Sequence, residues 1–403
     1  RNTVGGRGVA PQAQLISVPF LAQGMHAFNR AQAMLYAKDH VDISNNSWGL
    51  PDARAELLPT DILWEEAVNE GITQGRQGKG IIYVFAGGNG ALDDLGRPTG
   101  ERSTYDGINN HPGIINVGAV DACGVPATYS EPGANLLVAA PSGAAYSLLP
   151  QLYTTAPMNS YFGRYFNGGE WLFPHYRYDF SGTSGAAPIV SGVIALMLSA
   201  NPELSWRDVR WILAATARPI GATVDNERGR AAVGQGVYSH HVGFGVVDTS
   251  AAVAMAQHFV SLPAAKTCTF EATPALTIPP TGGAYQTDIT LPVHCALTKL
   301  ESVSINVTIH GNAASGGDEP AGQLDIAVQS PSGNVSQLAT PHQCYNAMFT
   351  QAYECIMPYA NWRFTSVRHL GEHFAQGPWK LIVKNSGPHN AHLAKWSVTV
   401  LGH

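Results

Sequence analysis

Apolar and polar positions change rhythm once along this chain. Up to about residue 260, short runs that are apolar almost throughout (AQLISVPF, VDISNNSW, GIIYVFAGG, GIINVGAV, NLLVAAPSG) alternate with stretches of helical spacing. Continuous Val/Ile runs of this kind are what strands buried on both faces look like. Their alternation with helices predicts a parallel sheet covered on both sides. ILWEEAVNEGITQG carries apolar residues at helical intervals. WRDVRWILAATA follows Asn-Pro-Glu-Leu-Ser, and Ser205 with Asp208 three residues on predicts a capping box, in which Asp is the weaker partner. The run IVSGVIALMLSA is apolar on nearly every side and predicts a helix through the middle of the domain. Pro188 suits its first turn.

Beyond about residue 262, SVSINVTI, QLDIAVQSPSGNVSQL, GPWKLIVKNSG and AKWSVTVLG alternate apolar and polar residues between Gly, Pro, Ser and Asn turns. That pattern predicts an antiparallel β domain, sandwich or jelly roll. The expected organisation is therefore an α/β domain with a parallel sheet over 1–261 and an all-β domain over 262–403, joined by LPAAK (262–266). Residues 153–180 are aromatic-rich without a period and are expected to form a long surface loop.

Composition narrows the class. Of 403 residues, 45% are hydrophobic and 13% charged, the balance of a chain with real cores. A net charge of −6 without a long basic run argues against nucleic acid as a partner. The apolar stretches look short for a membrane span. The chain begins at Arg1 with no visible signal peptide, so it reads as processed or cut. Cys268, Cys295, Cys344 and Cys355 cluster late without a C-x-x-C pair, which favours two disulfides, their pairing open, over a metal site. An oxidising compartment follows from that, with the protein secreted to the extracellular space or the periplasm. Cys123 stands apart and is read as a buried free thiol.

The chemistry centres on SGTSGAAP, residues 181–188. Ser184 lies where a helix N-terminus offers free N–H groups and the positive dipole end, so it is either a cap or a nucleophile. Gly182 and Gly185 beside it would admit another backbone. With the apolar helix and NPELSWRDVRWIL behind it, the segment resembles the nucleophile region of subtilisin-like serine proteases. GRGVAPQAQL, Ser47-Trp48-Gly49, Gly87-Gly88-Asn89-Gly90, YSEPGANLLVAAPSG and VGFGVVD resemble other segments of that family in its order. The resemblance implies that Ser184 attacks a peptide carbonyl. Asn89 and the Ser184 N–H would receive the oxyanion, and Ser47, Trp48 and Gly49 would pair with substrate.

SWG followed by Asp52, then GITQGRQGKG, Tyr105-Asp106-Gly107 and Ser130-Glu131 are similar to the kexin and furin branch, and the β-rich half resembles its P domain. That branch implies a calcium ion under the specificity pocket, with Asp52, Glu101 and Glu131 as ligands. Asp93 and Asp94 compete with Glu101 by position, though a solvated loop surface is the plainer reading for both. Asp106 would stand near the base of a pocket for Arg or Lys. Hard oxygens are what Ca²⁺ takes. Peptides with basic residues are the expected substrates; a propeptide, a chaperone or inhibitor, or a separate N-terminal fragment are the other expected partners.

No Asp-Ser/Thr-Gly and no His-Gly-Thr run occurs here, so the catalytic Asp and His are expected outside this chain, which alone should not turn over peptide. The alternatives are a protease-like scaffold that only binds, or one chain of a nicked two-chain enzyme. His175 has no setting of a base. His369 with His373, His240-His241, and His389 with His392 read as turn or surface residues. GGNG lacks the Lys-Ser/Thr of a phosphate loop. Asn306 and Asn334 begin glycosylation acceptor triplets.

Overall fold

The computed structural model describes residues 6–403 except 94, 145–148, 156–175, 221–228, 235, 281–283, 291–294, 296, 312–320, 347–350, 356 and 375–376. In the first unit β1 (Ile43–Asn46), β2 (Ile82–Ala86), β3 (Ile114–Val120) and β4 (Leu136–Pro141) pair in parallel, in that order. Every residue of β2 and β3 is buried, which is why both read as unbroken apolar runs. The alternation of β2 feeds two cores. Ile82, Val84 and Ala86 join one face, while Tyr83 and Phe85 join the other with Trp64 and Val68.

Two helices, α1 (Ala27–Leu35) and α2 (Ile62–Gln74), cover the second of these faces, and α2 is capped by the Asp61 carboxylate, which accepts from the Trp64 N–H at 2.9 Å. The opposite face is covered by α3 (Thr183–Ala200), which contacts all four strands. By length and mean hydropathy, 18 residues at 1.6, α3 could cross a membrane, a length the sequence reading had not credited. Its Ala186, Ala187, Val190, Val193, Ile194 and Met197 are instead sealed into the core. α4 (Trp206–Thr216) starts with the expected capping box, both bonds present, and α5 (Thr249–Gln257) ends the unit.

The second unit begins with β9 (Lys266–Ala272). β9 pairs with β19 (Ala391–Gly402) in an antiparallel sheet that also holds β10 (Leu276–Ile278), β12 (Leu300–Gly311) and β17 (Tyr359–Ser366). The facing sheet runs β11 (Ala284–Thr290), β18 (Pro378–Asn385), β13 (Leu324–Gln329), β14 (Val335–Ala339). Val303, Ile305, Val328, Leu381, Trp396 and Val398 fill the space between the sheets. A short ladder, β15 (Cys344–Tyr345) with β16 (Ala352–Tyr353), projects from this sandwich. Disulfides join Cys268 to Cys295 and Cys344 to Cys355.

Six expectations are corrected. Pro188 is the sixth residue of α3, past its first turn, where its missing N–H leaves the Ser184 carbonyl without a partner inside the helix. Residues 13–19 form no strand, and Leu15 is 92% exposed, because no described strand pairs with that stretch. The segment 153–180 is framed by strands, β5 (Leu152–Thr155) pairing with β6 (Tyr176–Phe180), while its interior, His175 included, lies outside the described residues. A further hairpin joins β7 (Gly229–Arg230) to β8 (Val237–Tyr238). Cys123 is exposed, since Asp121 accepts from the N–H of Cys123 and of Val125 and turns the thiol outward. His240 and His369 do sit in turns but are buried, and His392 belongs to β19. Asp93 is buried rather than solvated, closed over by Arg97; Asp94 is not among the described residues.

Candidate active site

The strand ends and the start of α3 converge on one cavity of about 370 Å³. Its lining includes Ser184, Asn89, the stretch from Ser47 to Asp52, Glu101, Asp106 and Glu131, while Asp93, the rival of Glu101, does not reach it. No histidine lines it among the described residues.

Ser184 is the second residue of α3, after the cap Gly182, whose φ of +92° a side-chain-bearing residue rarely adopts. The Ser184 N–H is one of those an α-helix leaves without an internal acceptor. Close packing fixes the turn: a Cβ on Gly185 would come 2.6 Å from both Leu152 Cδ1 and Ser142 Oγ. The Ser47 hydroxyl donates to the Ser184 carbonyl at 2.9 Å, tying the end of β1 to the helix start. Among the described residues the Ser184 Oγ makes no hydrogen bond.

Asn89 follows β2 and is held by its own oxygen. Its Oδ1 accepts from the Thr183 N–H at 2.8 Å and from the Thr183 hydroxyl at 2.9 Å. That leaves Nδ2 toward the cavity, where one hydrogen goes to Asp52 Oδ2 at 3.2 Å and the second remains to donate.

Four carboxylates crowd the other wall. Burial raises the Asp52 carboxyl above its ordinary value, an effect that the hydrogen bonds from Asn89 oppose. Glu101 is pushed up to about 8, first by burial and then by the charge of Asp52; the backbone N–H groups of Ala55 and Ala53 pull the other way. Glu131 is raised as well, by burial and by Glu101 and Asp52. Asp106 is pushed up to about 6 by burial, although it accepts from the N–H of Ile108 at 2.7 Å and of Leu50 at 3.4 Å. The glycines of GGNG now have a local purpose. A Cβ on Gly88 would fall 2.2 Å from Glu131 Oε1, and one on Gly90 2.2 Å from Glu101 Oε2.

The donor set fits a hard divalent cation. It is all oxygen, it repels itself when ionised, and the buried Glu101 Oε2 has no hydrogen-bond partner. Elsewhere His342, Cys344 and Cys355 bring ligand atoms within 4.8 Å of one another, but the two sulfurs are bonded to each other, so that trio is no metal centre. The motifs gave no sign of the contribution of the second unit. Tyr105, which lines the cavity, stacks on His342 with centroids 4.6 Å apart.

Comparison with known proteins agrees with this geometry. The model of the subtilase family matches residues 1–245, and that of the proprotein convertase P-domain matches 301–400. Kexin of Candida albicans is 31% identical over 393 residues, covering 95% of this chain and 38% of the relative. A dibasic-processing endoprotease of Schizosaccharomyces pombe is 29% identical over 416 residues, covering all of this chain and 52% of the relative. This chain thus spans about half of such relatives or less. A serine protease of Aeromonas sobria, solved in complex with a chaperone, superposes with a TM-score of 0.82 at 22% identity, over 100% of this chain and 78% of that one; it shows the shared fold.

Proposed function

The chain belongs to the subtilase family, and from that membership we propose that it carries the nucleophile and the specificity pocket of a secreted serine endopeptidase cleaving after Arg or Lys. The observation that supports this most directly is the meeting of Ser184, Asn89 and four buried carboxylates on one cavity.

In this reading the Ser184 Oγ attacks the scissile carbonyl carbon and passes its proton to a base that these residues do not include. The carbonyl oxygen, now negative, accepts from the free Asn89 Nδ2–H and from the Ser184 N–H. The C–N bond then breaks, the amine leaves with the proton, and water releases the acyl group from Ser184. Ser47, Trp48 and Gly49 hold the substrate backbone alongside β1. Asp106 faces the cationic side chain. Asp52, Glu101 and Glu131 would hold calcium, which supplies the positive charge that lets these acids ionise together. Two disulfides accord with an oxidising compartment. The name of the S. pombe relative points to pairs of basic residues in the substrate.

Peptide reporters test it in the full protease. Arg-terminated reporters should be cleaved much faster than Leu-terminated ones, and equal rates would sink the specificity. Asn89→Ala should lower kcat by about 10²–10³-fold with little change in KM, the usual loss of one oxyanion donor. The 403-residue chain by itself should show no turnover, and rapid fluorophosphonate labelling of its Ser184 would refute that. Chelation should lower the unfolding midpoint of this chain, an effect that Glu101→Gln should abolish.

A further inference from the structure

The loop that follows Asp52 has an odd backbone for its composition. Ala53 and Ala55 both take positive φ, 62° and 52°, without being glycine, and both are buried. Such conformations persist only where the surroundings impose them. Here they bring the N–H groups of both alanines beside the Glu101 carboxylate, where they lower its pKa against the effect of burial. The space is tight, since a Cβ on Gly90 would come 2.3 Å from the Ala53 nitrogen.

What imposes this shape comes from the other unit. The Tyr345 N–H of β15 donates to the Arg54 carbonyl at 3.0 Å. The Ala55 carbonyl oxygen lies 3.3 Å from Cys344 Sγ and 3.8 Å from Cys355 Sγ. A disulfide sulfur carries no hydrogen, so these are packing contacts against the bridge itself. The Tyr353 hydroxyl of β16 donates to Glu56. Next to the ladder, His342 stacks on Tyr105, whose hydroxyl meets the Thr340 carbonyl at 3.0 Å, and Tyr105 precedes Asp106. Gly100, before Glu101, leaves no room for a Cβ, which would touch His342 Cβ at 2.7 Å. The ladder is anchored in turn on its own sandwich, with Gly322 donating to the Cys355 carbonyl and His342 to the Gly322 carbonyl.

We propose that the β15–β16 ladder, closed by Cys344–Cys355 and flanked by His342, is a positioning element for the specificity pocket: it sets the Ala53–Ala55 backbone and Tyr105, and through them the places of Asp52, Glu101 and Asp106. The ladder touches no substrate, and its function is to hold the acids in register for one cationic side chain. This rests on the reading of those acids as a pocket for Arg or Lys.

The test uses the 403-residue chain and p-aminobenzamidine, an arginine-like cation whose fluorescence reports entry into a closed site. The unmodified chain should bind it, and Asp106→Asn should not. Cys344→Ala/Cys355→Ala should weaken binding about tenfold or more, as loss of a supporting shell does. His342→Ala should weaken it several-fold while unfolding as cooperatively as the unmodified chain. The control is Cys268→Ala/Cys295→Ala, which removes the remote bridge of the same sandwich and should lower the unfolding midpoint without changing the affinity. Equal weakening by the two disulfide variants, or unchanged affinity in both the Cys344/Cys355 and His342 variants, overturns this proposal and leaves the pocket reading standing. If the Cys344/Cys355 variant does not fold, His342→Ala alone decides. No binding by the unmodified chain overturns both.

Discussion

His111 shows how one residue can set the acid limit of this fold. It is 2% exposed, three residues before β3 and against α2, with Trp64 edge-on at 5.7 Å. Its Nδ1 accepts from the Gly113 N–H at 3.1 Å, so Nε2 carries the proton and donates to Asn69 Oδ1 at 3.2 Å. Burial first, then the charges of Arg363 and Arg210, push its pKa down from 6.5 to about 3. Between those values the unfolded chain binds a proton that the folded chain refuses. The contribution is therefore complete above pH 6.5 and is lost as pH falls toward 3. His111→Gln removes the titrating group, and its urea midpoint should fall less steeply than that of the unmodified chain from pH 6.5 to 4.5. The carboxylates elsewhere contribute equally to both proteins, and parallel slopes would show that His111 is not held neutral.

At the scale of elements, the start of α4 carries more than a cap. The Ser205 hydroxyl accepts from the Asp208 N–H at 3.2 Å, and Asp208 Oδ2 accepts from the Ser205 N–H at 2.8 Å. The other oxygen, Oδ1, accepts from the Leu262 N–H at 2.8 Å, so the helix start also pins the chain on its way to the second unit. Ser205→Ala should cost about 1 kcal/mol by urea denaturation. Asp208→Ala should cost more, because it leaves the Leu262 N–H without its acceptor as well; equal losses would mean that the third bond is idle. This box was readable from spacing alone, as were the parallel strands, α3 and the sandwich, because each is written in a local period. Ser47, Asn89 and Ser184 lie beside strand ends and a helix start that those periods locate, whereas Asp52, Glu101, Asp106 and Glu131 lie in loops and were singled out only through the family resemblance. Residues 13–19 read as a strand but have no partner strand among the described residues, and pairing is not a local property. The exposure of Cys123 and the burial of His369 depend on turns whose surroundings lie far along the chain. Nothing near Asp52 in sequence predicts that Cys344, some three hundred residues later, shapes the loop beside it.

At the scale of the whole molecule, the two units share their interiors. Leu57, Tyr105 and Ala134 of the first belong to the sandwich core, and Val367 and Leu370 of the second belong to the core around α3. Polar contacts reinforce the join. Arg363 holds Glu65 through two bonds, and Arg207 holds Glu301 through two more, with His403 Nδ1 at 2.8 Å on the same carboxylate. The Glu301 carboxyl and its two partners are largely withdrawn from water, and despite burial these partners hold its pKa below the ordinary value. Truncating one member of such a cluster strands the others' charge. Glu301→Ala should therefore destabilise the protein by about 3–5 kcal/mol, and Arg207→Ala added to it should cost less than the two single losses combined. Interpenetrating cores require that the loss be felt everywhere at once. Helical far-UV dichroism reports mainly the first unit, the assigned 19F resonances of Trp379 and Trp396 in 5-fluorotryptophan-labelled protein report the second, and both signals should shift together to one lower midpoint. Two separated transitions, with only the tryptophan signal moved, would show that the units fold independently. In that case Glu301 would stabilise only the sandwich, and the shared core would not couple the units.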